Sequence, residues 1–186
     1  MKKVFIIHGF EGSPNGGWRP WLMAELEKQD IYACALAMPT PDAPVCSEWV
    51  SEIAQHIEVS DGDEIYLVGH SLGGTATLRY LESERAFPLA GAILVSTPCE
   101  KNSNRKIDSF LDKGFDFKAI LSRCAKFAII HGDNDPNVPL NDPEYLSGKL
   151  EAELILVKDG GHLNGSAGWF QLPQCLDALN KLMAGS

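Results

Sequence analysis

The clearest chemical signal in the sequence is a serine between two glycines, in the pentapeptide Gly-His-Ser-Leu-Gly at 69–73. It follows a short apolar run, 65–68, and precedes a helix-forming run that begins at Leu72. A G-x-S-x-G turn between strand and helix holds its serine in a strained conformation, and the glycines let neighbouring backbones pass closely. The positive end of the helix favours a developing oxyanion. The pattern predicts that Ser71 is a nucleophile that attacks a carbonyl carbon.

A serine hydroxyl needs a base beside it, and imidazole has a suitable pKa for this proton transfer. We assign the base to His162, in a Gly-Gly-His-Leu-Asn loop that follows the last apolar run. The other four histidines fit other positions: His70 lies inside the turn, His8 and His131 end apolar strands as supporting residues, and His56 lies on a polar helix face.

The acid that orients this base should follow the fifth apolar run, where Asp133 and Asp135 are the two candidates. Asp135 is preferred, because it fits a pattern of glycine, two variable residues, aspartate and a nearby Val-Pro. Asp133 is then a turn-forming residue, a common role of aspartate near glycine. The order Ser71, Asp135, His162 is the order of α/β-hydrolases, unlike that of chymotrypsin or subtilisin.

Two backbone N–H groups are expected to form the oxyanion hole. One belongs to Leu72, directly after the nucleophile, and the second should come from the loop after the first strand. In that loop the sequence is His-Gly-Phe-Glu-Gly-Ser at 8–13, and the Phe10 N–H is our candidate, with Glu11 as the alternative. The glycines of this loop lack the G-x-G-x-x-G spacing of a dinucleotide site, and we expect no cofactor.

A metal-dependent hydrolase is the alternative reading of the same residues. Its ligands would be His131, Asp133, Asp135 and His162, which combine a short loop with one distant histidine. We expect no metal, since chelation normally draws on a more compact ligand pattern.

Six short apolar runs are spaced along the chain with amphipathic segments between them, and uninterrupted runs of this length are typical of parallel strands buried on both faces. They lie at 4–7, 31–36, 64–68, 91–96, 127–130 and 154–157. The alternation predicts a three-layer, doubly wound α/β fold with right-handed crossovers.

The length of 186 residues fits one domain, 1–186. One stretch, 100–123, is polar at first and then amphipathic. We interpret it as a small helical insertion over the C-terminal edge of the sheet that acts as a lid, with an ordinary long crossover helix as the alternative.

Charge and cysteine content exclude several classes of function. The net charge of −9 is spread along the chain without a basic cluster, which argues against a nucleic-acid partner or an anionic membrane. No apolar run approaches the roughly 20 residues of a membrane span, and the apolar residues near Met1 are too few for a signal peptide. The five cysteines include no Cys-x-x-Cys pair. We therefore expect reduced thiols and a cytoplasmic location.

Taken together, these motifs resemble the retinoblastoma-binding-protein-nine-like serine hydrolases, particularly their bacterial YdeN-like members. The resemblance extends over nearly the whole chain, and its more distinctive part is the Trp-Arg-Pro-Trp-Leu segment at 18–22 followed by Met38 and Pro39. It implies a minimal α/β-hydrolase that lacks the first two strands of larger enzymes, with a Ser-Asp-His triad and esterase or peptidase-like activity. A retinoblastoma interaction is not implied, because the Leu-x-Cys-x-Glu motif is missing.

We therefore expect a carboxylesterase-like serine hydrolase that cleaves a small ester, thioester or amide through an acyl-enzyme. A noncatalytic protein-binding member of the same fold is the alternative. Aromatic residues that could line an acyl pocket, although core packing is their more common role, are Phe10, Trp18, Trp21, Phe110 and Phe115. Arg19 could meet a substrate carboxylate, although a solvated surface position is the more common one for an arginine.

Overall fold

Alternate side chains of the first strand enter two separate hydrophobic cores. Val4 and Ile6 join one buried cluster, and Phe5 and Ile7 join the other. A strand that is apolar on both faces requires helices above and below the sheet. The computed structural model, which describes residues 1–57 and 59–185, shows this arrangement.

All strand pairs in the six-stranded sheet are parallel. The strands are β1 (Lys2–Ile7), β2 (Tyr32–Leu36), β3 (Glu64–His70), β4 (Gly91–Val95), β5 (Phe127–Gly132) and β6 (Glu153–Val157). Their order across the sheet is β2-β1-β3-β4-β5-β6. This result confirms the predicted doubly wound, all-parallel α/β fold and places β3 in the interior of the sheet.

Seven α-helices are found in the described residues, and they cover both faces of the sheet. They are α1 (Arg19–Glu27), α2 (Cys46–His56), α3 (Leu72–Glu82), α4 (Asp108–Leu111), α5 (Phe117–Arg123), α6 (Asn141–Leu150) and α7 (Pro173–Ala184). Buried residues of α1 and α7 share one core with Val4 and Ile6. The other helices contribute to the core that contains Phe5 and Ile7.

The segment 100–123 connects β4 to β5 and contains a short 3-10 turn, α4 and α5. Arg79 on α3 ties it down, donating hydrogen bonds to the carbonyl oxygens of Phe110 at 2.7 Å, Lys113 at 2.5 Å and Gly114 at 3.1 Å. Movement of this segment as a lid stays a prediction. Of the helices in residues 1–57 and 59–185, none has the length and apolar character needed to cross a membrane.

Candidate active site

Ser71 occupies a strained turn between β3 and α3. Its backbone has φ 54° and ψ −123°, outside the regions that a residue other than glycine favours, and its N–H donates to the Val95 carbonyl at 2.7 Å. Gly73 packs directly on the backbone carbonyls of Ile7 and His8, where a Cβ atom would collide. The glycine of the motif thus lets α3 approach β1 closely and positions Ser71 at the edge of the sheet.

The structure brings the three predicted catalytic residues together. His162 Nε2 lies 2.9 Å from Ser71 Oγ. On the other side of the ring, His162 Nδ1 lies 2.8 Å from Asp135 Oδ2 and 3.0 Å from Oδ1. The three residues follow β3, β5 and β6, whose carboxyl ends share one edge of the sheet. This arrangement has the connectivity of a nucleophile, a base and an orienting acid.

Asp135 is held as a charged carboxylate. Its side chain is fully buried, and its Oδ1 accepts hydrogen bonds from the backbone N–H groups of Asn137 at 2.8 Å and Val138 at 3.1 Å. Burial by itself raises the pKa of Asp135, but the hydrogen bond and charge of His162, with the two backbone donors, bring the pKa below its ordinary value. The carboxylate therefore requires a proton on His162 Nδ1 and leaves the Nε2 lone pair to accept the Ser71 hydroxyl proton.

Asp133 and Asn134 fasten the loop after β5 to the loop that carries His162. Asp133 Oδ1 accepts a hydrogen bond from the Asp159 N–H at 2.8 Å, and Asn134 Oδ1 accepts one from the Gly161 N–H at 2.7 Å. Asp133 thus has a loop-bridging position, whereas Asp135 points to the base. These two hydrogen bonds hold the loop of His162 beside the loop of Asp135.

Two tryptophans also donate hydrogen bonds to the loop that carries His162. Trp18 donates from Nε1 to the Leu163 carbonyl at 2.8 Å, and Trp169 donates to the Gly160 carbonyl at 2.7 Å. Buried indole N–H groups normally find such an acceptor. Trp18 is completely buried. It therefore packs in the core, which was the alternative to lining an acyl pocket, and it also anchors the loop of His162.

His70 is a supporting residue that the sequence analysis did not identify. Its ring is buried, and its Nε2–H donates to the backbone carbonyl of His162 at 2.9 Å. Burial, followed by the nearby charge of His162, lowers the pKa of His70 to about 3, so the ring is neutral at physiological pH. No spacing rule could indicate this contact, because the partner lies 92 positions further along the chain.

His8 and His131 support the two other loops. His8 Nδ1–H donates to the Gly9 carbonyl at 2.8 Å, while its Nε2 accepts from the Met38 N–H at 3.2 Å. His131 Nε2–H donates to the Val138 carbonyl at 3.1 Å, behind the Asp135 loop. Burial is the largest cause of the lowered pKa of both rings. Neither ring reaches Ser71, in keeping with supporting positions.

The two expected oxyanion-hole donors belong to residues that line the same cavity as Ser71. Phe10 and Leu72 both line the cavity at the nucleophile, and within the described residues no acceptor is found for either backbone N–H. The N–H of Glu11, the alternative candidate, donates to the Pro41 carbonyl at 2.7 Å. Of the two loop candidates, Phe10 therefore has the N–H that is available to a substrate oxygen.

Two cavities meet at the nucleophile. The first, of about 290 Å³, is bounded by residues of the β4–α4 connection such as Asn102 and Ile107. The second, of about 270 Å³, is bounded by the loop after β1 and the start of α1. Phe10, Ser71 and His162 belong to both. The open space therefore extends in two directions from Ser71.

Arg19 differs from the solvated surface side chain that the sequence favoured. Only 5% of it is exposed, and it lines the second cavity together with Ser71 and His162. Of the aromatic candidates, Phe110 is fully buried in the core, whereas Phe10 lines both cavities.

Within residues 1–57 and 59–185, no group of three or more histidine, cysteine, aspartate or glutamate side chains is arranged to hold a metal ion. All five cysteines are free thiols.

Comparison with known proteins defines the class. A model of the serine hydrolase family matches residues 4–181, and the chain belongs to this family. The fold agrees: a member of the alpha/beta hydrolase superfamily from Xanthomonas campestris superposes with a TM-score of 0.72 over 99% of both chains, at 17% identity. The protein is thus a serine hydrolase with an α/β-hydrolase fold.

Its most similar relatives include YdeN of Bacillus subtilis, with 31% identity over 180 residues, covering 96% of this chain and 94% of YdeN. The crystal structure of the ydeN gene product superposes with a TM-score of 0.91, covering 99% of this chain and 100% of that one. The serine hydrolase RBBP9 of Rattus norvegicus is 25% identical over 168 residues, 88% of each protein. These similarities confirm the family resemblance inferred from the motifs.

Proposed function

We propose that this serine hydrolase is a carboxylesterase-like enzyme that cleaves a small ester, thioester or amide through an acyl-enzyme on Ser71. The supporting observation is the continuous hydrogen-bonded series from Ser71 Oγ through His162 to Asp135, at 2.9 Å and 2.8 Å. Both distances are within hydrogen-bond reach, as proton transfer requires.

In the first half of the reaction, Ser71 Oγ attacks the substrate carbonyl carbon as its proton moves to His162 Nε2. Asp135 stabilises the imidazolium through the Nδ1–H bond. The tetrahedral intermediate then collapses: the bond to the leaving group breaks, and the leaving group takes the proton from His162. In the second half, water gives a proton to His162, attacks the acyl carbon and releases the acid, while Ser71 regains its proton.

The oxyanion of each tetrahedral intermediate would be stabilised by the Phe10 and Leu72 N–H groups. Their placement beside Ser71, and the absence of a competing acceptor in the described residues, support this role. Donors that are fixed before the reaction need no reorganisation as charge develops, and one such donor contributes about 10²- to 10³-fold in rate. The positive end of α3 adds a favourable field at the same position.

The size of the site favours small substrates. Each cavity, of about 290 or 270 Å³, is smaller than a whole small-molecule site of about 300 to 1,000 Å³, so each arm of the substrate must be short. One cavity would hold the acyl group and the other the leaving group. A small-molecule acyl substrate is therefore the partner that we propose, without a cofactor.

We also propose that the enzyme acts in the cytoplasm, where thiols stay reduced. Its five free cysteines support this location. Burial raises the pKa of Cys124 to about 12, so this residue stays a neutral thiol and forms little of the thiolate that oxidants attack.

The decisive test compares the wild type with Ser71→Ala on 4-nitrophenyl acetate and butyrate. We expect kcat to fall by about 10⁴-fold or more in the variant, because the residues of a triad act as a unit. A fluorophosphonate probe should label the wild type, and labelling should be lost in both Ser71→Ala and His162→Ala. If the wild type shows neither labelling nor turnover, the protein is a noncatalytic binding member of the fold. If Ser71→Ala keeps the full activity of the wild type, Ser71 is not the nucleophile.

A further inference from the structure

Arg19 is a buried cation without a protein anion beside it. Its Nε donates to the Ser13 carbonyl at 2.9 Å, and its guanidinium carbon lies 5.9 Å from the centre of the Trp18 ring. In the described part of the chain, no hydrogen bond or ion pair is found for its two terminal nitrogens. Most of its five N–H donors are therefore available to a ligand.

Both its burial and its place in the fold make this charge unfavourable in the free protein. Buried arginines are normally paired, because an unpaired charge in a protein interior is costly. Arg19 is moreover the first residue of α1, where the helix dipole is positive and favours an anion. Burial lowers the pKa of Arg19 to about 10, yet the side chain remains charged at neutral pH. An anion bound beside it would offset both costs.

The position of Arg19 places that anion at the reacting groups. It lines the second cavity with Gly9, Ser71 and His162. Its charge also contributes to the lowered pKa of His70, so the guanidinium acts on the site electrostatically. Gly16 gives it room: a Cβ atom there would lie 2.5 Å from Arg19 Nη2.

The other charges in this cavity indicate a singly charged ligand. Glu11 is the acidic residue that lines the second cavity. Its side chain is exposed and, among the described residues, forms no ion pair with Arg19. One guanidinium neutralises one negative charge, while the protein's net charge of −9 repels a dianion. The planar fork of N–H donors matches the two oxygens of a carboxylate.

We propose that the second cavity is a carboxylate subsite, in which Arg19 binds a carboxylate carried by one arm of the substrate while the ester carbonyl lies at Ser71. This inference rests on the proposed esterase function and names the substrate class within it. The preferred substrate is then a monoanionic ester, such as a half-ester of a dicarboxylic acid or an ester of a hydroxy acid.

The test uses two pairs of esters that differ only in charge. In the first pair, mono-4-nitrophenyl adipate carries a carboxylate on its acyl arm, and methyl 4-nitrophenyl adipate is its neutral counterpart. In the second pair, 4-acetoxybenzoate carries the carboxylate on its leaving group, and its methyl ester is the neutral counterpart. We expect the wild type to favour the charged member of one pair by about 10- to 100-fold in kcat/KM, mostly through KM, as for a hydrogen bond to a charged group. In Arg19→Met this ratio should fall close to one.

Three further measurements separate binding from structure and bulk charge. Arg85→Met removes an exposed arginine that contacts Ser51 outside both cavities, and it should keep the wild-type ratio. Glu11→Gln should raise the ratio, because it removes the competing negative charge. Free benzoate should inhibit the wild type more strongly than benzamide, and this comparison needs no variant if Arg19→Met does not fold.

The outcomes distinguish this inference from the proposed function. Equal kcat/KM for charged and neutral esters in both pairs, or a preference that survives in Arg19→Met, would overturn the carboxylate subsite. A merely structural Arg19 would lower the rates for charged and neutral esters alike and leave their ratio unchanged. Failure to hydrolyse any of the four esters, or turnover that persists in Ser71→Ala, would instead overturn the esterase function itself.

Discussion

The Nε2–H of His70 donates a 2.9 Å hydrogen bond to the backbone carbonyl of His162, so the residue before the nucleophile holds the loop that carries the base. The two imidazole rings lie 5.1 Å apart, centre to centre. Ser71 and His162 are thus linked through their side chains and, independently, through the neighbouring His70. This second link fixes the distance over which the proton is transferred.

His70→Phe should lower kcat by about 10- to 100-fold with little change in KM, since a small displacement of the base reduces the rate of proton transfer. His70→Gln should restore most of that loss, because its side-chain amide can still donate to the His162 carbonyl. Steady-state kinetics on a neutral ester measure both variants. Equal kcat values for Phe and Gln at this position would show that the hydrogen bond does not position the base.

Buried neutral histidines should make the protein sensitive to acid. The folded-state pKa of His70 is about 3, below the ordinary 6.5, so between these values the unfolded chain holds a proton that the folded protein does not. Stability therefore falls as the pH drops below about 6.5, by about 1.4 kcal/mol per pH unit for this group. Urea unfolding at pH 7.5, 5.5 and 4.5 should show a shallower decline in His70→Gln, and an unchanged slope would contradict the burial argument.

Asp135→Asn should reduce kcat by about 10⁴-fold, because an amide donor beside Nδ1 favours the imidazole tautomer that cannot accept the Ser71 proton. Asp133→Asn is the matched control. Its remaining carbonyl oxygen can still accept the Asp159 N–H, so activity should stay within a few-fold of the wild type. If the two substitutions had reversed effects, Asp133 would be the orienting acid.

Gly9→Ala should inactivate the enzyme without unfolding it. The added Cβ would lie 2.8 Å from Ser71 Cβ and 3.3 Å from Oγ, within the space that the nucleophile needs. Gly148→Ala on α6, where nothing lies within 4 Å of an added Cβ, is the control and should be fully active. Circular dichroism and ester hydrolysis, measured on both, distinguish a local collision from loss of the fold.

The strained backbone of Ser71 should appear as a cost in stability. Its conformation, φ 54° and ψ −123°, suits glycine better than serine or alanine. Ser71→Gly should therefore be more stable than Ser71→Ala by about 1 kcal/mol, or about 2 to 4 °C in Tm, although both are inactive. Identical melting temperatures would show that the turn stores no strain.

The sequence by itself determined the fold and the location of the site. Runs such as 4–7 and 127–130 are apolar without interruption, and this local property predicts buried parallel strands. Because parallel strands end at one edge of the sheet, Ser71, Asp135 and His162 could be expected to meet there although they are far apart in the chain. Only the spacing of motifs and the order of strands were needed.

Only the tertiary structure decided which groups support the site. The sequence favoured a solvated surface position for Arg19, but the loop before α1 folds back on this side chain: its Nε donates to the Ser13 carbonyl, and Gly16 leaves the space that its Nη2 occupies. Phe10 is preferred to Glu11 because Pro41, 30 positions further on, accepts the Glu11 N–H. The hydrophobic pattern of a segment is a property of its own residues, and it predicts whether the segment is buried. The direction of a side chain and the acceptor of a backbone N–H depend instead on distant segments that pack against that residue.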